Sequence, residues 1–362
     1  MTVRVGIVGC GFIGTVHSFA LRQLVKAGLV DAAVTATYDV DRERAERQAA
    51  AHGASACREL DALLDAVDAV WVCTWTAGHL ETVRAAAERS LAVFCEKPLA
   101  PSLGECEAVA MLLATVPHQV GLVLRHAPVF RVIADEVASG RYGAPMATTM
   151  RDDQFFPNQG MYASDWRADA ARAGGGTLLE HSIHDVDVLR WVLGDPATVT
   201  AHAACHFGHA GVDDIAAAVF GYTDGAVATL TSVWHQILSR PSTRRLEVFC
   251  EDALLWTDDD YLGPVHVETS AGAELRCSEP PAWVERFELP EVHAKQLAQY
   301  AEPTKAFLDA LASGGRPATG FPDAGTALAA HRLVDVAYRS AAAGGETLPV
   351  RTAQRSGPTP AR

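Results

Sequence analysis

Between Val3 and about Gly121, short β-branched runs alternate with Ala-, Leu- and Arg-rich stretches of helical period. VRVGIVG predicts a strand, followed by a helix from about Ile13 to Ala27. The strand VTATYD and the helix DRERAERQAAAHG come next, then the strand DAVWVCT and a helix from His79 to Arg89. LAVFCEKP, a helix after Pro101 and HQVGLVL complete the series. Strands separated by helices of about 10–15 residues imply right-handed βαβ units around a parallel sheet.

After Arg125 the pattern changes. A helix, PVFRVIADEVASG, leads to the strand PMATTMRDDQFF, the loop PNQGMYASDWRADAARAGGG and a helix from about Thr177 to Leu193. ATVTAHAACHF, IAAAVFGYTDGAVATLTSVWH, RRLEVFCEDALLWTD and GPVHVETSAG read as strands joined by turns such as TDG and EDA, forming one largely antiparallel sheet. Helices from about Pro303 to Ser313 and from Asp323 to Ala343 close the chain. Expected boundaries are 1–124 for the first domain, 125–350 for an α+β domain and 351–362 for a flexible tail without apolar periodicity.

Composition narrows the function. The chain has 362 residues, 49% hydrophobic and 20% charged, enough for two cores at about 150 residues per domain. A formal charge of −14 with scattered Lys and Arg argues against a nucleic-acid partner. No segment reaches the roughly 20 apolar residues of a membrane span, and the start runs straight into a strand, so a soluble cytoplasmic protein without a membrane partner is expected. The eight cysteines include no CxxC pair and are expected to be reduced.

Gly9, Gly11 and Gly14 form GxGxxG between an apolar strand and a helix, the context in which glycines permit a tight turn and close approach to a pyrophosphate. The helix N-terminus supplies N–H groups and a positive dipole. Asp39 ends the second strand, 25 residues beyond Gly14, where it can accept from ribose hydroxyls and repel a 2′-phosphate, or else cap the next helix. This favours NAD over NADP, with Arg42 nearby to soften the preference. Lys97, in the turn Glu96-Lys97-Pro98, lies at the carboxyl end of a parallel strand, where such sheets bind ligands.

These residues resemble the glucose-fructose oxidoreductase and inositol dehydrogenase (Gfo/Idh/MocA) family. The resemblance is carried by GCGFIG at 9–14, YDVDRERA at 38–45, the His79 loop after DAVWVCT, EKPLA at 96–100, DWRADAARAGGG at 165–176 and IHDVDVLRWVLG at 183–194. It implies an N-terminal Rossmann domain, doubly wound about its parallel sheet, and a C-terminal α+β domain with a large open sheet that often serves oligomerisation. It further implies NAD(P)-dependent chemistry on sugars, polyols or related carbonyl compounds. The family lysine matches Lys97 and its histidine His184; Glu180 stands where an aspartate is usual. The implied nucleotide set is Gly9, Gly11, Phe12, Ile13, Gly14, Asp39, Arg42, Thr74, His79, Glu96 and Lys97. Arg125, Trp166 and Arg167 are placed near the domain interface, either binding sugar or holding the loop.

The stretch EHSIH, 180–184, offers two histidines and a carboxylate, but not in the HExxH order of a zinc site, and no metal is expected. On a continuous helix Leu179, Ile183, Val186, Leu189 and Leu193 form an apolar stripe. Glu180, His184 and Asp187 then share the adjacent stripe and point together into a cleft, while His181 points away. GGG at 174–176 lets the backbone pass close to a ligand. His202 and His206 are expected on one face of a strand, His209 on the other. The expected roles are His184 as base, Glu180 orienting its ring and Lys97 holding the substrate oxygen. The reading is an NAD-preferring dehydrogenase of a secondary hydroxyl in a sugar or cyclitol, a homodimer or homotetramer. A carbonyl or imine reductase using NADP, and a non-catalytic sugar or dinucleotide sensor, are the alternatives.

Overall fold

The computed structural model describes residues 2–314 and 321–350; the tail assigned to 351–362 lies outside them. The first half alternates β1 (Val3–Val8), α1 (Phe12–Lys26), β2 (Ala32–Tyr38), α2 (Arg42–His52), β3 (Ser55–Ala56), α3 (Leu60–Leu64), β4 (Ala69–Val72), α4 (His79–Glu88), β5 (Ala92–Cys95), α5 (Leu103–Leu113) and β6 (His118–Val120). The strands pair in parallel in the order β3-β2-β1-β4-β5-β6. Local chemistry sets the helix ends. The Asp41 carboxylate accepts from the N–H groups of Glu43 and Arg44, and Gly53 takes the left-handed conformation after α2. Ser102 caps α5 through the Glu105 N–H.

The second half holds α6 (Pro128–Ala138), β7 (Pro145–Phe155), α7 (Ala170–Ala173), α8 (Ile183–Leu193), β8 (Thr198–Ala204), β9 (Ile215–Gly221), β10 (Val227–His235), β11 (Thr243–Cys250), β12 (Ala253–Thr257), β13 (Pro264–Thr269), β14 (Gly272–Cys277), α9 (Glu291–Ala312), α10 (Ala324–Ala342) and β15 (Leu348–Pro349). Its nine strands run β14-β13-β12-β11-β7-β10-β9-β8-β15, antiparallel except where β10 meets β7. Its inner face buries Met150, Leu230, Leu246 and Val248 against Ile183 and Leu189 of α8. The outer face leaves Val219, Val227, Phe249 and Leu275 exposed.

Four expectations are corrected. The helix expected from Pro303 runs from Glu291 to Ala312 with Pro303 inside it. Burial of Ala294, Leu297, Ala301 and Leu308 along one side outweighs the missing donor. GPVHVETSAG is followed by a further strand, β14, whose nearly uniform exposure leaves no alternation to read. β8 ends at Ala204, so His206 and His209 lie beyond it and share no strand face with His202. The helix expected from Thr177 starts with a π-helical turn, Thr177–His181, and continues as α8 only from Ile183.

α9 and α10 return to the parallel sheet. Phe307 and Leu308 of α9 pack with Ile7, Trp71 and Phe94, on the face that α1 also covers. Ala324 and Ala327 of α10 join the opposite core with Val93, Cys106 and Val109. Both halves of the chain therefore share packing, and a cleft runs between the carboxyl ends of the parallel strands and the second sheet.

Candidate active site

The cleft encloses about 2060 Å3 and is bordered at one end by Gly9, Gly11, Phe12, Ile13, Asp39 and Thr74. Gly9 has φ +93°, a conformation that L side chains rarely adopt, and a β-carbon on Gly14 would lie 2.0 Å from the carbonyl oxygen of Gly9. Around Gly11, by contrast, a β-carbon meets nothing within 4 Å, so backbone here borders open space at the start of α1. No side chain caps that helix, which leaves its first N–H groups facing the cleft. Asp39 takes the Cys10 N–H at 2.7 Å and the Asp41 N–H at 2.8 Å, which locks its carboxylate at the rim. The cap of α2 is Asp41, so Asp39 does not cap the next helix. This cradle fits a dinucleotide, whose pyrophosphate α1 would hold and whose adenosine ribose Asp39 would hold.

Three members of the expected nucleotide set do not line the cleft: Gly14, which packs against the Gly9 carbonyl, Arg42 and His79. Arg42 lies along α2 in an ion pair with Glu46 at 2.8 Å, and it is Arg44 that lines the cleft. His79 is buried, its Nδ1 2.9 Å from the Pro98 carbonyl oxygen.

At the other end, Glu96, Lys97, Trp166, Arg167, Glu180 and His184 come together. Lys97 Nζ donates to the Glu180 carbonyl oxygen at 2.7 Å, and burial lowers its proton affinity against the pull of Glu180 and Glu96. The Glu180 carboxylate accepts from Thr76 Oγ1 at 2.5 Å and lies 3.8 Å from Arg167 Nε; burial raises its pKa. Arg167 stacks over Trp166 at 4.2 Å and donates to Ser164 at 2.9 Å.

Glu180 does not orient the ring of His184. No hydrogen bond joins them, and His184 Nδ1 is buried without a partner. Burial depresses the His184 pKa well below the ordinary range, and the nearby charges of Lys97 and Arg244 act in the same direction. The ring is therefore neutral at physiological pH, with an open nitrogen for a proton.

The π-helical turn explains the rearrangement. Ser182 N–H reaches the Thr177 carbonyl at 2.8 Å, one residue further than an α-helical bond, and the extra residue rotates the turn by about 100° relative to α8. His181, expected to point away, consequently lines the cleft beside His184. Asp187, expected in the cleft, instead forms a two-pronged pair with Arg125 at 2.7 and 2.8 Å, so Arg125 holds α8 and is absent from the cleft lining.

The glycines before the turn approach protein, not ligand. A β-carbon on Gly176 would lie 1.8 Å from the Asp213 carbonyl oxygen, while the Asp213 side chain accepts from the Gly176 and Leu178 N–H groups at 2.7 and 3.0 Å.

A polar cluster behind His181 was not read from the sequence. Arg244 of β11 donates to Asp185 at 2.7 Å and Asp260 at 3.1 Å, approaches Asp152 at 3.4 Å, and sits 3.1 Å from His181 Nε2. Burial, with Asp152 adding repulsion against the pull of Arg244, pushes the Asp185 pKa up to about 7. The available signal was parity: Arg244 shares the inward face of β11 with Leu246 and Val248, and Asp152 shares that of β7 with Met150.

A glycine cradle at a helix N-terminus, facing a lysine and a neutral histidine across one cleft, defines a nucleotide-dependent oxidoreductase. Residues 3–122 match the oxidoreductase family with an NAD-binding Rossmann fold, and residues 130–255 match the GFO/IDH/MocA C-terminal domain. The chain belongs to the Gfo/Idh/MocA family of oxidoreductases, and its first domain is of the NAD-binding kind. An inositol 2-dehydrogenase of Rhizobium meliloti (strain 1021) is 29% identical over 94% of this chain and 98% of its own. The crystal structure of a putative myo-inositol dehydrogenase from Sinorhizobium meliloti 1021 is 26% identical, covers 97% of this chain and 100% of that one, and superposes with a TM-score of 0.75. A levoglucosan dehydrogenase in complex with NADH, 20% identical, shares the fold at a TM-score of 0.85 over 98% of this chain and 100% of that one.

Proposed function

We propose that the protein oxidises a secondary hydroxyl of a sugar or cyclitol to a ketone, with NAD as the electron acceptor. The observation that carries this reading is the juxtaposition of a buried, neutral His184 with Lys97 at the mouth of a dinucleotide cradle. Its resemblance to inositol 2-dehydrogenases supports the substrate class.

NAD, when bound, supplies the hydride acceptor. His184 takes the hydroxyl proton, and burial, helped by the cations around it, keeps the ring unprotonated until that moment. Lys97 has N–H groups to spare beyond its bond to the Glu180 carbonyl, and these hold the substrate oxygen as alkoxide charge develops. Glu180 ties the loop carrying Thr76 to the π-helical turn and faces Arg167, thereby fixing the two sides of the cleft relative to each other. Trp166 and Arg167 offer a flat face and N–H donors to the sugar ring. The exposed outer face of the nine-stranded sheet is where copies of the chain associate.

The test is NADH absorbance with NAD and NADP in parallel across inositols, free sugars, glycosides and sugar acids. Reduction with one compound class is expected. Absence of turnover throughout the panel, with NAD binding shown by thermal shift, would overturn the dehydrogenase reading.

A further inference from the structure

The turn that carries Lys97 is held by three histidines from three different helices. His17 of α1 pairs through Nε2 with Glu96 Oε1 at 2.7 Å, and the other Glu96 oxygen accepts the Lys97 N–H at 3.2 Å. His79, at the start of α4, places Nδ1 2.9 Å from the Pro98 carbonyl oxygen. His331 of α10 accepts the Leu99 N–H on Nε2 at 2.9 Å. Their exposures are 1%, 1% and 4%, and none borders the cleft, so none touches substrate.

Each contact satisfies a group that would otherwise be buried alone, and together they restrain Glu96, Pro98 and Leu99 around the lysine. Lysine has a long flexible stem, so the direction of its ammonium depends on a fixed backbone and on the bond to the Glu180 carbonyl. Displacements of about 1 Å at a reacting group can cost 10²-fold in rate.

We propose that His17, His79 and His331 are positioning residues that clamp the 96–99 turn and so fix where the Lys97 ammonium meets the substrate oxygen. The clamp spans both halves of the chain, since α10 lies between β14 and β15 of the second sheet while α1 and α4 belong to the first half. The proposal rests on the reading of Lys97 as the group that holds the reacting oxygen.

The experiment compares His17→Leu and His331→Leu with His17→Gln and His331→Gln, in which an amide can replace the ring's hydrogen bond. Three quantities are read: kcat and KM for the best substrate of the panel, NAD affinity by fluorescence, and the pH dependence of Lys97 acetylation by acetic anhydride followed by mass spectrometry. The groups facing Lys97 in that titration are Glu180, Glu96, Arg167, Arg244, His181 and His184. The leucine variants are expected to lose about 10- to 100-fold in kcat with NAD affinity kept. Their Lys97 labelling midpoint should rise as the amine gains water, and the glutamine variants should recover both properties. Leucine variants with wild-type kcat and labelling midpoint would overturn the clamp, as would equal losses in the glutamine and leucine forms. Where His331→Leu does not fold, His331→Ala takes its place, and wild-type turnover in it also overturns the proposal. If the wild type turns over nothing in the panel, the dehydrogenase reading fails, but the labelling midpoint still decides the clamp: a shift supports it and no shift refutes it.

Discussion

The base proposed for this site has to arrive without a proton, and His184 is kept in that state by burial and by the charges of Lys97 and Arg244. Replacing it with alanine is expected to lower kcat by about 10²–10⁴-fold while leaving nucleotide affinity nearly intact. Stopped-flow turnover beside NAD titration checks this, and unchanged turnover would remove the base. Asp39 belongs to the same scale. Its carboxylate is locked by two backbone N–H groups, so Asp39→Ala should lessen the discrimination against NADP. The ratio of kcat/KM for the two nucleotides measures this, and an unaltered ratio would make Asp39 purely structural. That Gly9, Asp39 and Lys97 border the cleft was legible because each sits at a strand end or glycine turn, and His184 followed from the family resemblance. Arg244, Asp152 and Asp185 were not, because their meeting depends on strand pairing between distant segments.

Among the elements, the segment from Gly174 to Leu193 shows both the reach and the failure of periodicity. The apolar stripe of Ile183, Val186 and Leu189 was read correctly and is buried. The phase of the residues before it was not, because one π-helical turn carries His181 into the cleft. That turn is held where Asp213 caps it, in a space that admits no side chain at Gly176. Gly176→Ala is therefore expected to cost about 3 kcal/mol or more in a urea unfolding experiment, since the obstacle is rigid backbone and not a movable side-chain tip. A loss within about 0.5 kcal/mol would show that the turn can move away from β9.

For the whole molecule, α10 joins the second sheet to the Lys97 turn, and His331 is the residue through which it does so. Burial lowers the His331 pKa to about 3. Its unfolded value is ~6.5, so the folded state declines a proton that the unfolded chain accepts. The stability associated with this neutral ring is complete above ~6.5 and falls as pH drops towards the folded value. His331→Gln does not titrate there, so the Tm difference between wild type and variant should move in the variant's favour between pH ~7.5 and ~5. A difference that stays constant would mean that the folded ring titrates normally. Comparison of the two proteins also cancels the opposite slope contributed by Asp185, whose carboxyl keeps its proton to about 7.

The sequence by itself determined what local rules can encode: the alternation of strands and helices around a parallel sheet, the glycine turn and the acidic end of β2. The positions of Lys97 and His184 followed from motif context and family resemblance. Only tertiary structure decided which polar groups pair. Arg125 went to Asp187, Glu180 to Thr76 and Arg244 to two buried aspartates, while three histidines met at one turn. Those choices depend on which distant surfaces are pressed together without water, where each buried donor must find an acceptor, and no spacing along the chain specifies that match.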